Sequence, residues 1–203
     1  FLGWSPKSAD REILSLEEIS EIFDLSEINK AGAKFSWEKL NWINSQYIKN
    51  MESIKLSEII IGYWADMGWV PPSQDWSIKL VILLQDSMTL LKDAIDQSKP
   101  FFSLPPIQKE GQDFLENNAG KVALKLILNY LIEQNSLKID KEKAKSTINE
   151  ISKKHNVKKG ILMKSLRVAF FGCLSGPDLI RSWELLSESK SDISRIKRCL
   201  ITN

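Results

Sequence analysis

The chain has 203 residues, 43% of them hydrophobic and 27% charged, with a formal net charge of +2. That is the composition of a globular protein with one large domain or two small ones and enough apolar side chains for a real core. The longest apolar run, LVILL at 80–84, lies between Lys79 and the pair Gln85 and Asp86, far short of the roughly 18 residues that a membrane helix needs, so no membrane contact is expected.

FLGWSP at the start has neither initiating methionine nor the basic flank, apolar stretch and small-residue cleavage site of a secretory signal, as expected of a fragment or processed piece. Cys173 and Cys199 stand singly among apolar neighbours and His155 is the one histidine. Neither a disulfide framework nor a metal site follows, and a reducing cytoplasm is the plain expectation. A Cys–His dyad would need an orienting group and a pocket. Buried cysteines with a surface histidine are the simpler reading, so no catalytic, cofactor-binding or metal-binding residue is assigned.

Apolar residues recur at three- and four-residue spacing almost throughout, which predicts an all-α fold. SLEE at 15–18 has the form of a capping box, with Leu16, Ile19, Ile22 and Phe23 as the stripe to be buried. A second helix is expected from Ser36 to Ile48 and a third from Ser57 to Met67, closed by Gly68 in a left-handed cap. WVPPS then forces extended backbone. A long helix is predicted over 75–97, burying Ile78, Val81, Ile82, Met88, Leu91 and Ile95. SKPFFSLPPIQ at 98–108, with three prolines, reads as a connection and a subdomain boundary that still packs through Phe101, Phe102 and Leu104. Helices follow at 109–118, 119–135, 140–155 and 158–171, the last stopped by Gly172. Pro177 starts another in its first turn, and a final one spans 192–201.

The charge is uneven, because residues 138–167 hold ten lysines and arginines against three acids. Such a segment attracts a phosphate backbone, or is a solvated helix face. At its end, Arg167 sits in SLRVAFFG among residues apolar or small enough for a core. Its guanidinium must snorkel, pair with Asp178, or hold an anionic or planar partner.

Several segments together resemble the carboxy-terminal half of bacterial glutamyl-tRNA synthetases, a class I aminoacyl-tRNA synthetase family. FLGWSP followed by EILSLEEISEIFDLSEINKAGAKFSWEKLNWINSQYI is similar to the segment after that family's catalytic domain, with Lys39, Leu40, Trp42, Asn44, Tyr47 and Ile48 in its pattern. KKGILMKSLRVAFFGCLSGPDLIRSWELLSESKSDISRIKRCL is similar to its anticodon-binding end, with Leu166, Arg167, Ala169, Gly172, Pro177 and Leu179 in place. The resemblance implies a two-part helical array: a stem-contact subdomain over 1–70 and an anticodon-binding helical cage over 71–203. It implies that Arg167, Leu179 and Lys164 face the anticodon loop, where a guanidinium can both hydrogen-bond and stack on a splayed base. Free amides of a helix start at Ser175 to Asp178 could hold a phosphate. It also makes Lys39, Trp42, Asn44, Lys158 and Lys159 contacts to the tRNA stem or backbone, although an aromatic on a helix with Leu40, Ile43 and Tyr47, as Trp42 is, is more often core than platform.

The family's His-Ile-Gly-His-like motif and Lys-Met-Ser-Lys-Ser-like loop do not occur in these residues. The resemblance thus implies a glutamate-tRNA ligase as the parent enzyme, using ATP and magnesium through ligands outside this chain, cytoplasmic and monomeric, with glutamate tRNA as partner. LLQDSMTLLKDA carries Gln85 and Ser87 but no arginine where some members read the third anticodon base, which implies that glutamine tRNA is accepted too. Gly176 stands where some members carry a hydroxyl residue. The alternative is a helical protein-interaction module that retains the synthetase fold.

Overall fold

A computed structural model describes residues 3, 4, 13–28, 32, 34–117, 119–134 and 138–201. Most of the FLGWSP segment and the last residue of the helix expected at 119–135 lie outside them. The described residues form eleven α-helices: α1 (Leu16–Ile22), α2 (Trp37–Asn50), α3 (Ser53–Asp66), α4 (Gln74–Leu84), α5 (Asp93–Phe102), α6 (Lys109–Glu116), α7 (Ala119–Glu133), α8 (Lys141–His155), α9 (Lys159–Phe171), α10 (Leu179–Glu188) and α11 (Asp192–Ile201), with no strand among them.

Five of these helices start in one way. The side chains of Ser15, Ser36, Ser73, Asp140 and Asp178 accept the backbone N–H three residues on, at 3.1, 3.1, 3.1, 2.8 and 2.9 Å, which satisfies an amide left without a helical partner. The capping box at Ser15 and Glu18 is complete. Gly68, at φ +71°, closes α3 as expected: its N–H donates to Ala65 O at 2.9 Å and that of Trp69 to Trp64 O at 2.8 Å, a Schellman pair.

Four expectations are corrected. The α1 stripe is not buried, with Leu16 81% exposed and Phe23 46%; periodicity marks a face but cannot supply the element that covers it. α3 begins four residues early, at Ser53. The long helix over 75–97 is two helices. Gln85 turns inward and donates to the carbonyls of Ile48 (2.9 Å) and Met51 (2.8 Å), while the Asp93 carboxylate accepts the N–H groups of Thr89 (3.0 Å) and Leu90 (2.8 Å). Those side-chain bonds outcompete the helical ladder between them. Finally, α5 runs through Pro100 to Phe102, which a proline in the last turn permits at the loss of one hydrogen bond.

Phe102 then stacks on Trp69 (5.0 Å between centroids) and meets Trp64 and Trp76 edge-on at 5.1 and 5.3 Å. The stretch read as a connection is therefore an aromatic hub. α7 is central, packed against α6, α8, α9 and α11, while α3 and α10 flank α4. The buried core runs from Ile48 on α2 to Cys199 on α11, so it is interrupted neither at residue 70 nor at 98–108.

Gly172 ends α9 in the left-handed region, at φ +74°. A Cβ there would lie 2.1 Å from Pro106 O, and Gly172 O accepts the N–H of Gln108 at 2.8 Å. Gly172→Ala is expected to destabilise the protein by about 3 kcal/mol in denaturant unfolding, from strained backbone plus a backbone clash.

Asp192 is buried, accepting Trp183 Nε1–H at 3.1 Å. Burial pushes its carboxyl above the usual range, against the lowering effect of the Ile193 amide and of Trp183. The folded state thus holds this proton more tightly than the unfolded chain, so the stability contributed by Asp192 is present in acid and lost as pH rises through the raised pKa. Asp192→Asn keeps an acceptor without the charge. It should raise the unfolding temperature at neutral pH, with the gain shrinking as pH falls.

Candidate nucleic-acid interface

Arg167 lies on α9 one turn after the exposed Lys164, and is itself half-buried. Its Nη1 donates to Gly176 O at 3.0 Å and to Pro177 O at 2.9 Å. Asp178, the acidic alternative partner, instead caps α10 through Arg181 N at 2.9 Å. The guanidinium is held by carbonyls and carries no counter-charge from Asp178.

That loop corrects two expectations. α10 begins at Leu179, with Asp178 as its N-cap and Pro177 one residue outside it. A carboxylate therefore already occupies the helix start proposed for a phosphate. Leu179 is 1% exposed and belongs to the core, because the first inward position of a packed helix falls there; its side chain is not offered to a ligand.

The basic segment splits in two. In its first half, Lys138 lies 3.5 Å from Glu188 and Lys141 3.8 Å from Glu184, both acids on α10. Lys145 pairs with Glu142 at 3.0 Å, and Lys143 sits 5.5 Å from the centre of the Tyr130 ring. Lys79 joins the same acids and Asp75; hydrogen bonds to Asp75 and Glu188 hold its ammonium well above the ordinary range. Glu150 accepts the Tyr130 hydroxyl at 2.6 Å, which with burial pushes the phenol up to about 12.

In the second half, Lys153, Lys154, Lys158, Lys159 and Lys164 are exposed and make no ion pair among the described residues. They lie around the α8–α9 turn, where Asn156 adopts the left-handed conformation at φ 51°, and along the outer side of α9. The α9 start, with Lys158 as N-cap, has no side-chain cap and no acid in its first turn. Lysines there oppose the helix dipole. The local field is therefore positive and uncompensated, suited to a polyanion.

On α2, Lys39 is exposed and Trp42 43% exposed, so the core alternative for Trp42 is set aside. Asn44 is half-buried and donates through Nδ2 to Thr89 O, which ties α2 to the bend after α4. Gln85 is buried as the α2–α3 staple and cannot reach a ligand. Ser87 is exposed, its hydroxyl 2.8 Å from Gln97 Oε1.

Sequence reasoning missed the role of Glu184 and Glu188 in neutralising the first basic half; their four-residue spacing marks one helix face but not what lies opposite. It also missed Arg195 and Arg198. These donate to Phe170 O (2.7 Å) and Ser103 O (3.2 Å), and to Pro105 O (2.7 Å), pinning the loop after α5.

Residues 41–200 match the family described as the anticodon binding domain. The chain is 82% identical over 200 residues to a glutamate–tRNA ligase of Prochlorococcus marinus strain MIT 9312, covering 98% of this chain and 42% of that protein. It is 45% identical to the ligase of strain NATL2A, again over 98% of this chain and 42% of that one. A crystal structure of a glutamate tRNA ligase from Elizabethkingia meningosepticum in complex with its amino acid superposes with a TM-score of 0.89 at 29% identity, covering 99% of this chain and 39% of that one. The chain thus spans less than half the length of the relatives it matches. On its fold and on the family match across most of its length, this chain belongs to the anticodon-binding domain family.

Proposed function

We propose that the chain is the tRNA-binding, anticodon-recognising part of a glutamate-tRNA ligase, a cytoplasmic protein that as a whole joins L-glutamate to tRNA with ATP and magnesium. The observation that carries the reading is Arg167: its guanidinium is fixed by two carbonyls, half-exposed, one turn after Lys164 on a helix whose exposed lysines make no ion pair among the described residues. Such a group can stack on an unpaired base and donate to its edge, while Lys164, Lys158 and Lys159 hold the backbone by charge. Residues 1–70 would contact the stem through Lys39, Trp42 and Asn44, with residues 71–203 holding the loop, one molecule of protein to one tRNA. No helix among the described residues is long and apolar enough to cross a membrane.

Arg167→Ala should fold normally and bind glutamate tRNA more weakly by about 1–3 kcal/mol in equilibrium titrations, as for one lost base contact. Lys158→Ala should lower the slope of log affinity against log salt by about one unit. Unchanged affinity in the first and unchanged slope in the second would overturn the reading. A protein-interaction module would show no steep salt dependence with RNA at all.

Acceptance of glutamine tRNA is part of the same proposal. It rests on the exposed Ser87, which offers a hydroxyl rather than a cation near the turn after α4. In a ligase carrying this segment, Ser87→Arg should raise the ratio of glutamate-tRNA to glutamine-tRNA charging; an unchanged ratio counts against it.

A further inference from the structure

Arg167 Nη1 carries two hydrogens, and two carbonyl oxygens, those of Gly176 and Pro177, receive them. Nε and Nη2 have no partner among the described residues. They form one side of the planar guanidinium, with parallel N–H bonds suited to two neighbouring acceptors in a plane. The loop that supplies the carbonyls passes through Gly176 at φ +143°, a conformation that L side chains rarely adopt. A Cβ there would stand 3.2 Å from Phe171 Cδ2 and 3.6 Å from Arg167 Nη1. Phe171 cannot swing aside, since it is buried edge-on against Phe101 and Phe170 at 5.7 and 6.4 Å.

We propose that Gly176 is a positioning residue for Arg167: the backbone shape that glycine permits sets the carbonyls that hold Nη1 and leaves the Nε–Nη2 edge as a fixed two-donor fork for the acceptor edge of an unpaired nucleobase. The proposal rests on the reading of Arg167 as an RNA contact. An arginine already ordered loses less rotamer freedom on binding, so Gly176 acts on affinity without touching the ligand. Arg167→Lys is not equivalent, because an ammonium on the same carbonyls has no planar fork left to offer.

The test is a double-mutant cycle in the whole protein that carries this segment, titrated with a glutamate-tRNA anticodon stem-loop. Gly176→Ala should weaken binding about tenfold in the wild-type background and change nothing further once Arg167 is alanine, the non-additivity expected of coupled residues. If Arg167→Ala leaves binding unchanged, the functional reading fails. If Arg167→Ala weakens binding but Gly176→Ala has no effect, or the same effect in both backgrounds, only the positioning role fails. NMR of the Arg167 guanidinium in the unmodified protein is independent of how any variant folds. Hindered rotation with distinct Nη1 and Nη2 signals is expected, and free rotation overturns the proposal.

Discussion

The structure turns on a place where backbone meets backbone. At the end of α9, the absence of a side chain on Gly172 lets the chain pass against Pro106, accept the amide of Gln108 and lie beside α6, where a Cβ on Gly111 would stand 2.9 Å from Gly172 O. Close approach of this kind is available to glycine alone. It reverses the chain after Phe171, and that reversal brings residues 173–178 under the Arg167 side chain. The segment after α5 is pinned from the other side by Arg195 and Arg198. The helix that carries the candidate contact and the loop that orients it therefore share one rigid junction.

Charge follows from the same packing. A run of lysines is neutral or positive in effect according to what lies opposite. α10 packs on α8 and α4, which brings Glu184 and Glu188 to Lys79, Lys138 and Lys141. Lys153, Lys154, Lys158, Lys159 and Lys164 are exposed and make no ion pair with that acidic face or with any other described residue. The resulting field is localised at one turn and one helix side, a shape suited to following a phosphate backbone.

The arginines of the fold show that one residue type has several uses. Arg195 is 3% exposed and donates to two carbonyls, and burial lowers its pKa to about 10, with the neighbouring Arg198 adding to the effect. Arg167 also binds two carbonyls, yet only through one nitrogen, and its Nε and Nη2 have no partner among the described residues. The first arrangement closes a loop, whereas the second leaves hydrogen-bonding capacity for a ligand.

Local chemistry is what the sequence determined. Serine and aspartate caps, the glycine stops at 68 and 172 and the helical spacing produced an all-α fold with most helices in place, because each depends on interactions within one or two turns. The patterned residues around Arg167 likewise pointed to the family. Tertiary structure decided the rest. It broke the helix expected over 75–97 through Gln85, whose partners lie more than thirty residues away. It left the α1 stripe partly exposed, drew Leu179 inward, gave the α10 start to Asp178 and neutralised half of the basic segment. Those outcomes depend on which surfaces meet, and periodicity along one chain segment carries no information about the surface opposite.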